Sequence, residues 1–162
     1  MKAAWLSVLL CTVALEGASA TPLKLALGSW ERTDLLRNFS ISGDGQHEVE
    51  GGGSGPNTGR VCLAEQTIES SALYPGLKNP TLAKLCKVTT VSETPTLIDS
   101  IVECSAHDAM PPYITHTVVS ASTPNSFTTI TETTFLRPNY DGGISRSTLY
   151  SRGRWLKDKC NK

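Results

Sequence analysis

The chain has no excess of charge of either sign. Its 15 Lys and Arg residues balance 15 Asp and Glu residues, so the formal net charge is zero. Proteins that bind nucleic acid or anionic membranes usually carry a clear positive excess. The composition therefore gives no reason to expect a nucleic-acid partner or an anionic membrane surface.

Long apolar runs are missing after the first twenty residues. Lys2 precedes an apolar run over residues 3–15, and Ala18-Ser19-Ala20 supplies the small-residue pattern of a cleavage site. The run is shorter than the ~20 residues that a membrane helix needs. We expect residues 1–20 to be a cleaved signal peptide and residues 21–162 to form one exported domain, periplasmic or extracellular, without a membrane span.

Closely spaced cysteines are also absent. Cys11 lies in the predicted signal peptide, and four cysteines remain: Cys62, Cys86, Cys104 and Cys160. Without a Cys-x-x-Cys pair, a redox site or a zinc site is disfavoured. Cysteines in an exported domain usually form disulfides, and four of them allow three pairings.

A predicted hairpin favours one of these pairings. If the chain folds back about Pro95, opposite residues have numbers that sum to 190. This register matches three pairs: Cys86 with Cys104, Lys87 with Glu103, and Val88 with Val102. Among the three pairings it favours the nested one, in which Cys62 bonds to Cys160.

Helical periodicity is scarce, whereas β-branched residues occur in short runs separated by Pro, Gly and Asn. We predict a mainly β fold: a curved antiparallel sheet or a partly open β-barrel meander, stapled by disulfides, with one or two short helices. The expected strands are 25–36, 59–63, 86–91, 97–102, 114–122, 126–136 and 144–156, and the expected helices are 64–69 and 80–85.

One segment is unusually rich in glycine. Residues 42–59 contain seven of the 13 glycines, and we predict a mobile surface loop at about 42–59 because glycine has high backbone entropy and buries little surface. A metal site would use Asp44, His47, Glu48 and Glu50. A solvated loop is favoured over that site, since a mobile loop holds ligands poorly.

Candidate catalytic residues are few. His107 and Asp108 are adjacent, but one dipeptide rarely provides the geometry of a His–carboxylate pair, and no Gly-x-Ser-x-Gly motif offers a nucleophile. His116 lies in a Thr-rich strand, where we expect it to be exposed or bound to a hydroxyl. We therefore predict no catalytic, cofactor or metal residues.

Two aromatic residues and a basic tail each allow two interpretations. Trp30 and Trp155 could contact a ligand, but core positions in the first and last strands are favoured. Arg152, Arg154, Lys157 and Lys159 could form a binding patch. Packing of this basic tail against the acidic N-terminal half is favoured, because the basic residues alternate with apolar or small ones.

Several landmarks together resemble a bacterial exported family known as domain of unknown function 3617. They are Leu27-Gly28-Ser29-Trp30-Glu31, Val61-Cys62-Leu63, Cys86 with Cys104, and Gly153-Arg154-Trp155-Leu156 with Cys160. The chain departs from the family where Leu27 and Ser29 replace Pro and Leu, and where Lys157 replaces Gly. The resemblance implies an exported protein, mainly of Gram-negative bacteria, and supplies no catalytic residues.

These observations favour a non-catalytic binding or interaction module of the cell envelope. Its partner would be a small apolar ligand on the concave face of the sheet, or an envelope protein. The alternatives are a small hydrolase-like envelope enzyme and a plain structural component of the envelope.

Overall fold

The computed structural model describes residues 23–63, 84–107, 110–137 and 143–160. Within them, one antiparallel sheet is built from seven strands: β1 Gly28–Ile41, β2 Glu48–Leu63, β3 Cys86–Thr94, β4 Leu97–Cys104, β5 Tyr113–Thr123, β6 Ser126–Phe135 and β7 Ile144–Lys157. In this part of the chain, no helix has the length and apolar character needed to cross a membrane.

The strand order in the sheet is β2-β1-β7-β6-β5-β4-β3. Strands β3 to β7 form a meander, and the β1–β2 hairpin joins it through β1, which pairs with β7. Strands β2 and β3 are the two edges and do not pair with each other, so the sheet is open. The mainly β, antiparallel fold is confirmed. The predicted helices lie outside the described residues, apart from a helical turn at Lys84 and Leu85.

The β3–β4 hairpin has the predicted register in its first half. Opposite residues sum to 190 from Cys86 and Cys104 up to Thr90 and Ser100. Beyond that point the register shifts, and Thr94 lies opposite Leu97. Pro95 and Thr96 form a two-residue turn, so the pairs next to the turn have numbers that sum to 191. A bulge between Thr90 and Ser92 then changes the sum to 190 for the rest of the hairpin.

The disulfides follow the nested pairing. Cys86 bonds to Cys104 across the β3–β4 hairpin, with Cα atoms 4.1 Å apart. Cys62, near the end of β2, bonds to Cys160 just after β7, with Cα atoms 5.6 Å apart. Because β1 lies between β2 and β7, the second disulfide spans β1 and ties three strands together at one end of the sheet.

The loop prediction for the glycine-rich segment was wrong from Glu48 onwards, because these residues form most of β2. The lack of side chains lets this backbone approach β1 closely: a Cβ atom on Gly53 would lie 2.1 Å from the Leu36 carbonyl oxygen. Backbone hydrogen bonds to β1 thus hold a segment with little apolar surface to bury. Only the turn between Ser42 and His47 remains outside the strands, closed by a 2.8 Å backbone hydrogen bond.

The apolar core is small and lies at one end of the sheet. Trp30 and Val119 are fully buried, and the Trp30 ring packs 5.2 Å from the Phe127 ring. Trp155 is half-buried against this core, and its indole N–H donates to the Leu27 carbonyl at 2.9 Å. The core interpretation of the tryptophans is therefore confirmed, more fully for Trp30 than for Trp155. We call the side of the sheet that carries Trp30 the core face, and the opposite side the open face.

Candidate ligand-binding face

Alternate residues of each strand project to the open face, and the strand register arranges them in rows across the sheet. Three adjacent rows matter here. The arginine row is Ser120, Thr128, Arg152, Thr33 and Thr58; the apolar row is Val118, Ile130, Tyr150 and Leu35; the charged row is His116, Glu132, Thr148 and Arg37. The apolar row lies between the other two.

The apolar row crosses four neighbouring strands without interruption. Ile130 retains 49% of its accessible surface and Tyr150 retains 41%, while Leu35 and Val118 are half-buried. Single exposed apolar residues are common, but a contiguous exposed row is a feature of interaction sites. This row is therefore the part of the open face best suited to an apolar ligand.

The arginine row combines hydroxyl groups with one central cation. The hydroxyl oxygens of Ser120 and Thr128 lie 2.8 Å apart, and those of Thr33 and Thr58 lie 2.9 Å apart. Arg152 lies between these two pairs, opposite Thr128 and Thr33. Its exposed guanidinium forms no ion pair or hydrogen bond with the described residues.

Two shallow clefts open on this face. The larger one, about 610 Å³, has Arg152 and Arg154 in its wall together with hydroxyl side chains that include Ser120 and Thr128. The smaller one, about 570 Å³, is lined by residues of the apolar row and by Pro56 at the edge of the sheet. Thr128 and Arg152 line both clefts, so the two are neighbours across the arginine row.

The charged side chains below the apolar row neutralise one another. Arg146 lies 2.7 Å from a Glu48 carboxylate oxygen and 3.0 Å from a Glu132 oxygen, and its guanidinium carbon lies 4.1 Å from the centre of the Phe39 ring. Hydrogen bonds from Arg146 and Ser145 lower the pKa of Glu48 below its ordinary value. This network ties β2, β6 and β7 together, and its charges have little left to offer a ligand.

His116 lies beside the same network. Its Nε2 atom is 2.7 Å from an Asp99 oxygen, and half of the histidine side chain is exposed. We expected an exposed ring or a hydroxyl partner; the ring is exposed, but its partner is a carboxylate. Asp99 and His116 are 17 residues apart in the sequence, so only the β4–β5 register brings them together.

The metal site considered for the glycine-rich segment does not assemble. His47 pairs with Asp44 at 3.0 Å, whereas Glu48 binds Arg146 and Glu50 lies 3.8 Å from Arg37. Two of the four candidate ligands therefore pair with each other, and the other two bind different arginines. Among the described residues, no group of three or more His, Cys, Asp or Glu side chains is placed to hold a metal ion.

The third histidine, His107, contacts a backbone carbonyl group and an aromatic ring. The Nδ1 atom of His107 lies 3.2 Å from the Ser105 carbonyl oxygen, and its ring packs 6.2 Å from the Tyr113 ring. Asp108, the second half of the candidate dipeptide, lies outside the described residues. What is seen of His107 fits a turn residue that packs beside β5.

The basic tail packs against the acidic half of the chain, as the sequence favoured. Arg154 lies 2.9 Å from a Glu31 oxygen, and Arg146, which the sequence did not single out, binds Glu48. The first contact follows from the pairing of β7 with β1, and the second also requires the pairing of β1 with β2. Arg152 differs, because it faces only threonines from the neighbouring strands.

One ion pair on the core face was not anticipated. The guanidinium of Arg32 binds the carboxylate of Asp34, with nitrogen–oxygen distances of 2.7 to 2.9 Å. Burial alone would raise the pKa of Asp34, but hydrogen bonds from Arg32 and Ser151 and the charge of Arg32 bring it below its ordinary value. The spacing of two residues on one strand, which places both side chains on the same face, is the only signal the sequence carries for this pair.

Comparison of the chain with family models, with curated proteins and with solved structures found no match in any of the three. The resemblance to the family of unknown function therefore stays a prediction. The function has to be argued from the open face and from the disulfides.

Proposed function

We propose that this protein is an exported, non-catalytic binding module of the cell envelope, and that its open face takes up a small apolar ligand. The observation that carries the proposal is the apolar row, with Ile130 and Tyr150 about half exposed in the middle of the sheet. These residues lie in a shallow cleft of about 570 Å³, a volume within the ordinary range for small-molecule sites.

Export is supported by the disulfides, since stable disulfides occur mostly in proteins outside the reducing cytosol. The predicted signal peptide lies outside the described residues and points the same way. The resemblance to a bacterial exported family would place the protein in the periplasm of a Gram-negative bacterium.

Binding is favoured over catalysis by the state of the charged groups on the open face. Arg146, Glu48 and Glu132 form a closed network, and His116 is bound to Asp99. Groups held in this way stabilise the sheet, whereas the apolar row is left without a partner among the described residues. If the test below finds no bound apolar ligand, a plain structural role or an envelope-protein partner is favoured instead.

The proposal is tested with a neutral, apolar fluorophore. N-phenyl-1-naphthylamine should gain fluorescence on binding the disulfide-bonded protein, and Ile130→Thr should weaken its affinity several-fold, because the apolar contact area falls while the side chain stays β-branched. Val88→Thr is the matched control: Val88 is also exposed, at 41%, but lies on edge strand β3. Absence of binding, or equal affinity in both variants, would count against a ligand on the open face.

A further inference from the structure

We propose that the ligand is a single-chain anionic amphiphile whose carboxylate or monophosphate group binds Arg152 and whose alkyl chain lies along the apolar row. This inference rests on the proposed function and names the chemical class of its ligand. Three neighbouring features support it: a guanidinium without an acidic partner among the described residues, hydroxyl groups on both sides of it, and an exposed apolar row.

Arg152 differs from the other arginines of the open face in its lack of an acidic neighbour among the described residues. The four other arginines that the described strands carry on the open face have acidic neighbours. Arg146 binds Glu48 and Glu132, Arg154 binds Glu31, Arg37 lies 3.8 Å from Glu50, and Arg60 lies opposite Glu31 in the β1–β2 register. Arg152 has no such neighbour among the described residues. A guanidinium is a planar, permanently charged fork of N–H donors, so its preferred missing partner is a carboxylate or a phosphate.

The surroundings of Arg152 favour an anion as well. The larger cleft is lined by two arginines and by no acidic residue among those described. Leu97, Ala121, Phe127 and Gly153 form the apolar part of its wall. The rest consists of hydroxyl residues, which can donate hydrogen bonds to an anionic oxygen: Thr96, Ser120, Ser122, Ser126 and Thr128. A cation or a neutral group would leave the charge of Arg152 without a counter-ion.

The apolar row supplies the second half of the site. It lies two residues along each strand from the arginine row, which is about 7 Å. Arg152 therefore contacts the head group while the first methylene groups reach Tyr150 and Ile130. From Tyr150 the row continues for two strand spacings to Val118, about 10 Å. Together with the step from Arg152 to the row, this is close to the length of an extended dodecyl chain.

A monomeric ligand fits this site better than a bilayer surface. The open face joins one unneutralised arginine to one apolar row, and it also carries the acidic groups Glu31, Glu48 and Glu132. Those acids are paired with Arg154 and Arg146, so in the described part of the chain the pairs add little net positive charge to this face. Binding to an anionic membrane depends on several basic residues that act together. A single alkyl chain with one anionic end needs only one arginine and one apolar row, and the two clefts provide both.

The test is displacement of N-phenyl-1-naphthylamine by dodecanoate, by dodecanol and by dodecyltrimethylammonium. The two ionic compounds are kept below their micelle concentrations and dodecanol below its solubility limit. We expect dodecanoate to bind about tenfold or more tightly than dodecanol, because a charge-assisted hydrogen bond contributes about that factor. Arg152→Gln should abolish this preference, so that dodecanoate and dodecanol bind with similar affinity. Arg137→Gln, which removes the same charge from an exposed site that lines neither cleft, should retain the preference.

The other outcomes separate the two proposals. Equal affinities for dodecanoate and dodecanol, or an unchanged preference in Arg152→Gln, would overturn the anionic head group and leave the apolar ligand site standing. Failure of all three compounds and of the fluorophore would overturn both proposals. Sedimentation with phosphatidylglycerol vesicles, without displacement by dodecanoate, would replace the monomeric ligand with a membrane surface.

Discussion

Gly153 is a position where one missing side chain decides how the core packs. The Phe127 ring occupies the place where a Cβ atom would be: the nearest ring carbon would lie 2.0 Å from it. Phe127 in turn packs against Trp30, so any displacement reaches the centre of the core. The glycine is required by this close approach and not by its backbone angles.

Gly153→Ala should therefore destabilise the protein by about 1–3 kcal/mol, the usual cost of overpacking. Urea denaturation followed by tryptophan fluorescence measures the change. The control is Gly59→Ala on the same sheet, where an added Cβ meets nothing within 4 Å, and its stability should stay within about 0.5 kcal/mol of the original. Equal losses in the two variants would contradict the role of the Phe127 ring.

The carboxylate of Asp34 should make the stability of the folded protein depend on pH in the acid range. Its pKa is lowered in the folded protein, with burial opposing and Arg32 and Ser151 causing the change. A folded pKa below the unfolded value of about 3.9 stabilises the protein above that pH, and the contribution is lost as the pH falls through the folded pKa. The free energy of unfolding should therefore decrease on acidification below about pH 4.

Asp34→Asn should make this acid dependence shallower, since the group that gains a proton on unfolding is gone. Urea denaturation at a series of pH values between 2 and 6 gives the slope. Asp158→Asn removes a carboxylate from an exposed position after β7 and should keep the original slope. A slope that Asp34→Asn leaves unchanged would show that other carboxylates, such as Glu48, carry the acid dependence.

At the scale of an element, β2 shows where sequence patterns mislead. Strands β5, β6 and β7 were predicted within one residue at either end, because their β-branched runs and turn signals are local. The same local rules assign a loop to a segment with seven glycines in 18 residues. What makes it a strand is its neighbour, β1, whose pairing with β2 extends over nearly its whole length.

The candidate site was less predictable for the same reason. Alternation along β6 and β7 places Ile130 and Tyr150 on one face, and the Asp-Gly turn signal between the strands could have suggested that they are neighbours. Nothing local places Leu35 next to Tyr150, since that contact depends on the distant pairing of β1 with β7. That Arg152 has no acidic neighbour in the described strands likewise appears only once the register is known.

The strand assignment of β2 can be tested by hydrogen exchange. Alternate amides between Glu48 and Leu63 should exchange slowly, because they bond to β1. Gly53→Ala should speed exchange across this hairpin, since its Cβ would collide with the Leu36 carbonyl oxygen, and should leave β5 protected. Rapid exchange of all amides of β2 in the unaltered protein would contradict the strand and favour the predicted loop.

At the scale of the whole molecule, the small core at one end leaves much of the sheet to be held by other means. Buried hydroxyl residues such as Ser100 and Thr117 occupy positions that apolar side chains would fill in a larger core. The ion pairs between β7 and the acidic β1–β2 hairpin are partly exposed to solvent, so each contributes modestly. We therefore expect the stability of the folded protein to depend strongly on the two disulfides. One joins the two strands of the β3–β4 hairpin, and the other joins the end of β2 to the chain after β7 across β1.

The two disulfides should contribute unequally. Cys86 and Cys104 are 18 residues apart and already lie opposite each other in a hairpin, whereas Cys62 and Cys160 are 98 residues apart. The chain-entropy model assigns about 3 kcal/mol to a loop of the first size and about 4.7 kcal/mol to one of the second. The double variant Cys62→Ala/Cys160→Ala should lose more stability, measured by urea denaturation, than the matched Cys86→Ala/Cys104→Ala. The opposite order would mean that the β1–β7 pairing fixes the ends of the chain without the disulfide, and that the edge hairpin is the element that needs one.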